Sequence, residues 1–291
     1  MRRHRFIEEE KAEYSVSLVC RVLGVARSSY YAWRGRGISA RAVANAGITE
    51  RIRSIHQQSR GTYGYPRVYA ELRGRGVVGR NRVARLMRAA GLTGCHRKSF
   101  VRTTHQDGAA RPAPDLVERR FISDSPNRLW AADFTYVPTG EGWLYLAFVL
   151  DAYSRRVVGW SMAGHMRTEL VVDALSMAVS RRKPGKGLIH HSDRGAQYTS
   201  VEFRTRIQQA GILPSMGSRG DAYDNAMAES FVATIKKELI HRQSWPTRAA
   251  ARTAIFEYIE CFFNARRRHS ALGYLSPCEY ERSTLTEHIA A

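Results

Sequence analysis

Four cysteines occur in 291 residues (Cys20, Cys95, Cys261 and Cys278), scattered and without a Cys-x2-Cys pair. Their spacing argues against a disulfide framework and against a zinc ribbon, leaving reduced thiols that mainly fill core. No apolar run approaches the ~18 to 20 residues of a membrane span. The opening residues MRRHRFIEEE lack the apolar centre of a signal peptide, so a cytoplasmic protein with no membrane partner is expected. Leucine heptads are missing from the start of the chain. Acidic charge is scarce at one end: residues 1–120 carry 25 Lys and Arg against 9 Asp and Glu, for +16, whereas 121–291 carry 21 against 17, for +4. General solubility charge is not normally so one-sided. A formal net charge of +20 points to a polyanionic partner, and the lack of a basic amphipathic helix with an exposed aromatic face favours nucleic acid over a membrane surface. The 44% hydrophobic content suffices for a sizeable core in more than one domain.

In the basic third, Ser15 to Val25 reads as a short helix stopped by Gly24, whose missing side chain suits a left-handed turn. Ser28 or Ser29 then caps a second helix, Tyr30 to Arg34. Helix, glycine turn, helix is the helix-turn-helix pattern, whose second element enters a major groove. Arg27, Ser28, Tyr31 and Arg34 are the expected DNA contacts there, while Trp33 is assigned to the small core. A second helical unit follows. Pro66 suits a first helical turn, with Val68 and Leu72 a four-residue apolar step apart. The next helix carries Val83, Leu86, Met87 and Ala90 on one face and stops at Gly91. Its opposite face holds Arg82, Arg85 and Arg88 with no acid across a dozen residues, which favours phosphate contact over mere solvation. Pro112 and Pro114 then break regular structure in a basic linker.

From Leu129 the pattern becomes apolar, aromatic and β-prone, with one carboxylate, Asp133, in its middle. Asp is depleted in strands and costly to bury unless a cation meets it. Three meander strands (129–137, 143–150, 156–162) are followed by a helix over 168–182, a strand over 188–191, a helix over 200–210, a strand over 212–216 and a helix over 225–240. This α/β order fits an RNase H-like fold, a mixed five-stranded sheet with helices. It puts Asp133 on the central strand, Asp193 at the end of its neighbour and Glu229 on the closing helix. Gathered at one sheet edge, three carboxylates would hold hard divalent cations through oxygen ligands. Lys236 lies seven residues after Glu229 on the same helical face, placed to hold a phosphate near them, and Arg219 in the preceding loop is a second candidate. Asp151 and Asp221 read as turn residues that accept backbone N–H bonds, and Asp224 as a helix cap. His190 and His191 read as buried histidines that are not metal ligands. The run Arg181 to Lys186 reads as a solvated loop.

Three segments carry a resemblance. Trp130-Ala-Ala-Asp133-Phe-Thr135-Tyr136, His191-Ser-Asp193-Arg-Gly195-Ala-Gln197-Tyr198 and Asp224-Asn225-Ala-Met-Ala-Glu229-Ser230-Phe231 are similar to the retroviral-integrase-like core of bacterial insertion-sequence transposases of the DDE type. The tail Phe263-Asn264-Ala-Arg266-Arg-Arg268-His269-Ser270-Ala-Leu272-Gly273-Tyr274-Leu-Ser-Pro277 and the Tyr63-Gly64-Tyr65-Pro66-Arg67 module resemble theirs too. The chain departs from the family at Asp115-Leu116-Val117, where Asn-Leu-Leu is usual. The resemblance implies helix-turn-helix module 1–50, second DNA-binding module 51–95, linker 96–122, catalytic core 123–242 and C-terminal helical extension 243–291.

It further implies the catalytic product of a second reading frame. Such a protein acts as a homo-oligomer on double-stranded DNA, fused to or partnered with an upstream helix-turn-helix and coiled-coil protein, in the bacterial cytoplasm at the nucleoid. Asp133, Asp193 and Glu229 would be catalytic and would bind two Mg2+ ions, with Mn2+ as a substitute, for strand cleavage and 3′-OH strand transfer. Arg67, Arg266 and Arg268 join the expected DNA contacts. A hydrolytic nuclease of the same fold and a DNA-binding regulator with an inert core remain open alternatives.

Overall fold

The computed structural model describes residues 2–73, 78–95, 115–117, 123–217 and 225–290. Six helices come first: α1 (Arg2–Glu10), α2 (Val16–Val22), α3 (Arg27–Arg34), α4 (Ala40–Gln58), α5 (Tyr65–Arg73) and α6 (Arg80–Ala89). Helices α1 to α3 close around Ile7, Val19, Cys20 and Tyr30, with Trp33 packed partly against them. The Ser15 hydroxyl accepts the Leu18 N–H at 3.3 Å and caps α2, and Gly24 leaves it at φ +62° as its position requires. The cap expected from Ser28 or Ser29 is not used. Helix α3 starts one turn earlier, after Ala26 and without a side-chain cap, so both serines lie in its first turn. Helix α4, capped by Ser39, runs unbroken through residues 50 and 51, where a module boundary was expected. Its Ile52 shares a core with Val68 and Leu72 of α5 and with Val83, Leu86 and Met87 of α6.

The sheet is built from β1 (Leu129–Thr139), β2 (Gly142–Asp151), β3 (Val157–Ala163), β4 (Ile189–Ser192) and β5 (Leu213–Met216), in the order β3-β2-β1-β4-β5. Pairing is antiparallel from β1 to β2 and from β2 to β3, and parallel from β1 to β4 and from β4 to β5. Alternation along β1 sends Leu129, Ala131 and Val137 to one face and Trp130 and Ala132 to the other, and both faces are covered. Helices α7 (Thr168–Arg182), α8 (Ala196–Thr199) and α9 (Val201–Gln209) lie on the Trp130 face. On the opposite face lie α10 (Ala226–Glu238), α11 (Arg248–Glu257) and a π-helical stretch (Tyr258–Phe263). Helix α12 (Pro277–Ala290) ends the chain. Residues after 242 therefore share one core with the sheet and with Ile52, Tyr63 and Val68 of the N-terminal helices.

Part of the expected linker packs on the sheet. The Leu116 N–H donates to the Ser215 hydroxyl at 2.9 Å, and Val117 is buried. Arg181 and Arg182, expected in a solvated loop, belong to the last turn of α7. There Arg181 pairs with Glu260, and Arg182 with Glu281 and Asp151. Asp151 behaves as expected of a turn residue, accepting the N–H groups of Asn127 and Tyr153 at 2.8 and 2.9 Å. No helix among the described residues is long and apolar enough to cross a membrane.

At Gly159 the backbones of β3 and α7 meet: a Cβ there would stand 2.2 Å from the Ala174 carbonyl oxygen and 2.7 Å from the Ala178 nitrogen. Gly159→Ala is expected to destabilise the protein by at least ~1 to 3 kcal/mol through overpacking. Gly185→Ala, where a Cβ meets open space, should shift stability by no more than ~0.5 kcal/mol. Urea unfolding of the two variants checks the pair, and equal effects would refute the close approach.

Candidate active site

The parallel ladder of β1 and β4 pairs Leu129 with Ile189, Trp130 with His190 and Ala131 with His191. Two further steps in that register set Asp133 opposite Asp193, just beyond the end of β4. Asp133 also pairs with Phe148 of β2, and cross-strand partners point to the same face. The Phe148 ring meets that of Phe231 at 4.6 Å, so Asp133 faces α10. Backbone donors hold both aspartates: the Phe134 N–H donates to Asp133 Oδ1 at 2.7 Å, and the Gly195 N–H to Asp193 Oδ1 at 3.0 Å. A Cβ on Gly195 would stand 3.1 Å from that same Oδ1.

Glu229 sits in the first turn of α10. The start of this helix is tied to β1 by Asn225, whose Nδ2 donates to the Ala132 carbonyl at 2.9 Å. Asn225 is buried, and its bond lands on the residue next to Asp133. Asn225 belongs to the segment that carries the resemblance, and this anchoring task is not among those expected of it. The signal available was an amide at the entrance of a helix whose start needed an anchor.

The three acids lie in one electrostatic field. Burial first, then the Asp193 and Glu229 charges, push the Asp133 carboxyl from the ordinary 3.8 up to about 8, against the Phe134 N–H and the Lys236 ammonium. Burial also raises Asp193, against the Gly195 N–H. Lys236 is lowered by burial and held up by Asp133. Its Nζ lies 4.7 Å from the centre of the Tyr136 ring, a cation–π contact that fixes the side chain beside the site. Tyr198, buried below, is raised by burial and by both aspartates. Among the described residues no three His, Cys, Asp or Glu side chains stand close enough to hold one ion. The three carboxyl groups nevertheless share one field, in which each charge raises the pKa of Asp133. A hard divalent cation suits this donor set, since every candidate ligand is a carboxylate and the Lys236 ammonium only partly offsets the rise at Asp133.

His190 and His191 are both buried. Burial drives His190 down to about 3, so it is a neutral ring, packed edge-on against Phe203. His191 Nδ1 lies 2.9 Å from the Ser215 hydroxyl.

The expected DNA contacts divide into two groups. Arg27, Ser28, Tyr31 and Arg34 are exposed on α3, Arg85 and Arg88 on α6, and Arg266 in the tail. Arg82 is half-buried and donates to Asn45 Oδ1 at 3.0 Å. Arg67 and Arg268 instead face protein. Arg67 donates to the Arg268 carbonyl at 2.9 Å and lies 3.5 Å from Glu238, while Arg268 pairs with Glu71 at 2.7 Å and with Glu279. Tyr63 joins them, donating to the Arg266 carbonyl and accepting the Arg268 N–H at 2.7 Å. Arg267, passed over between its neighbours, is buried against Glu238 at 2.7 Å. Arg219, Asp221 and Asp224 lie outside the described residues.

A mixed five-stranded sheet with acids at the edge shared by its two central strands, joined to a basic helical module, defines an integrase-core protein. Family models agree: Integrase core domain models match residues 123–222 and 210–277, and an HTH-like domain model matches 43–100. The chain is similar to the transposase InsF for insertion sequence IS3A of Escherichia coli (strain K12), with 40% identity over 283 residues, covering 96% of this chain and 98% of that protein. It is also similar to the insertion element IS600 uncharacterized 31 kDa protein of Shigella sonnei, with 41% identity over 263 residues, covering 90% of this chain and 97% of that one. The chain belongs to the IS3 family of insertion-sequence transposases. Among solved structures, the HTLV-2 integrase catalytic core domain in complex with magnesium aligns with 54% of this chain and 97% of its own at 19% identity and a TM-score of 0.40.

The folded protein binds the Asp133 proton more tightly than the unfolded chain does. This residue's contribution to stability is therefore full below pH 4 and is lost as pH rises from about 4 to about 8. In buffer free of divalent cations, Asp133→Asn is expected to melt several degrees above the parent at pH 8, with the gap closing toward pH 4. Melting curves across that range test this, and a gap independent of pH would contradict it.

Proposed function

We propose that this chain cleaves DNA strands at the ends of its insertion sequence and joins the freed 3′ ends to a second DNA site. The observation that carries the reading is the field at Asp133, a carboxyl raised by burial and by the Asp193 and Glu229 charges, with Lys236 beside it over the Tyr136 ring. Asp133, Asp193 and Glu229 would hold two Mg2+ ions, or Mn2+ in their place. When bound, the ions supply Lewis acidity at a scissile phosphodiester and stabilise the departing 3′ oxygen.

The remaining steps belong to the chain. The Phe134 and Gly195 N–H groups orient the two aspartates, and Asn225 sets the start of α10 so that Glu229 faces them. Lys236, clamped over Tyr136, places an ammonium on a non-bridging phosphate oxygen beside Asp133. In cleavage, water attacks phosphorus and the bond to the 3′ oxygen breaks, leaving a 3′-OH and a 5′-phosphate. In transfer, that 3′-OH attacks a phosphodiester of the second DNA, giving its proton to solvent as the target's 3′ oxygen departs. One phosphodiester forms for each one broken, so no nucleotide cofactor and no covalent enzyme intermediate are required.

Double-stranded DNA, both element ends and target, is the proposed partner. It would be gripped through Arg27, Ser28, Tyr31 and Arg34 on α3 and through Arg82, Arg85 and Arg88 on α6, with Arg219 and Arg266 as further contacts. We place the reaction in a homo-oligomer in the bacterial cytoplasm, working with the upstream-frame protein of the element. The likeness to a transposase along 96% of the chain supports this reading.

Labelled element ends incubated with Mg2+ or Mn2+ and the protein fused to its upstream frame should yield joined strands. Glu229→Gln should lower joining by more than about 100-fold, exceeding the loss that follows removal of a group supporting a metal ligand, while DNA binding survives. Nicks without joints would identify a nuclease, and equal activity in both proteins would remove Glu229 from the site. For α6, Arg85→Ala and Arg88→Ala should each weaken binding to any duplex and reduce the salt slope by about 1. A filter-binding titration over several salt concentrations reads this, and unchanged slopes would free that face from phosphate contact.

A further inference from the structure

On the sheet face covered by α10, a cavity of about 160 Å3 opens between that helix, the turn joining β2 to β3, and residues 267–271 of the tail. Its polar lining has one sign. Arg67, Arg155 and Arg267 line it with His269, Ser230, Thr234 and Ser270, and no carboxylate among the described residues does. Glu238, outside the lining, serves two of the guanidiniums, reaching Arg267 at 2.7 Å and Arg67 at 3.5 Å. The Arg155 backbone N–H donates to the Asp151 carbonyl at 2.9 Å, while its guanidinium has no hydrogen bond or ion pair among the described residues, and burial lowers its pKa. It sits at φ +60° in the turn, in the left-handed region. His269 is held neutral by burial and by the same three arginines. One carboxylate against three guanidiniums leaves two positive charges around a polar space.

We propose that this cavity is a binding site for a phosphate group, separate from the three-carboxylate site. Arg155 is its free cation, and Arg67, Arg267, Ser230 and Ser270 are its supporting donors. A planar guanidinium fork matches phosphate oxygens, and a dianion balances the charge left over by Glu238. A phosphodiester of bound DNA and free inorganic phosphate present the same chemistry to this site. Its donors come from four parts of the chain: α5 of the HTH-like module, the β2–β3 turn, α10 and the C-terminal tail. A bound phosphate therefore cross-links the HTH-like module to the catalytic core.

The test uses the full-length protein and does not depend on strand transfer. Melting temperature is followed during titration with sodium phosphate or pyrophosphate, against sodium chloride at matched ionic strength. A saturable rise is expected for the parent. It should be lost in Arg155→Asn, since asparagine tolerates the left-handed backbone, and partly kept in Arg155→Lys, with Ser270→Ala as a second, milder variant. A duplex of random sequence forms the other arm. If the phosphate comes from DNA, Arg155→Asn weakens duplex binding about fivefold, the worth of one hydrogen bond. If it comes from the free ion, duplex binding is unchanged while the phosphate shift disappears. Two outcomes overturn the site: a phosphate shift of equal size in parent and Arg155→Asn, or no saturable shift in the parent together with unchanged duplex binding in the variant.

Discussion

Glu238 is the group on which the arrangement of this molecule turns. It stands at the last residue of α10, nine positions after Glu229, and it is buried. Burial alone would raise its carboxyl. Hydrogen bonds from Arg267 and Tyr258 and the charge of Arg67 reverse that and hold it below the usual carboxylate range. Removing one partner from such a buried pair costs ~3 to 5 kcal/mol, whereas well-packed apolar replacements of the whole pair are often neutral. Its value therefore lies in geometry. Glu238 fixes the far end of α10, Asn225 fixes the near end on the Ala132 carbonyl, and Glu229 is carried between two anchors.

The same pair explains the division of positive charge. One set of arginines is turned inward to lock the tail and the HTH-like module onto the core: Arg67, Arg267 and Arg268 around Glu238, Glu71 and Glu279. Another set, including Arg85 and Arg88, stays on the surface. The arginines of this chain thus serve partly as mortar between its modules and partly as an exposed electrostatic face. At the sheet edge the balance is the opposite: among the described residues the Asp193 and Glu229 charges and burial raise Asp133 more than Lys236 lowers it.

Much of this was legible in the sequence, for reasons that differ by element. The helix expected over 168–182 is α7 with the same bounds, since its apolar spacing matches the sheet face it covers. Asp133 was legible because a carboxylate in a run of buried β-formers needs an explanation, and the parallel register then leads to Asp193. What could not be read was which arginines turn inward. Arg268 meets Glu71 across 197 positions, and no local pattern encodes a partner that remote. Helix α1 is not legible in the sequence because its nine residues carry a single buried one, Ile7, too little for a periodic signal. The cap expected at Ser28 or Ser29 failed because α3 begins a turn earlier, supported by the packing of Tyr30 and not by a side-chain cap.

The bond between the Arg268 N–H and the Tyr63 hydroxyl spans 205 positions, and this sets an order of events during synthesis. At ribosomal speeds, the segment bearing Arg268 emerges roughly 10 to 40 s after Tyr63. Through that interval the HTH-like module has its own helices but not the tail that clasps it. A nascent chain still on its message therefore exposes the Tyr63 and Arg67 face, and the module takes its final station only once the segment bearing Arg268 has emerged.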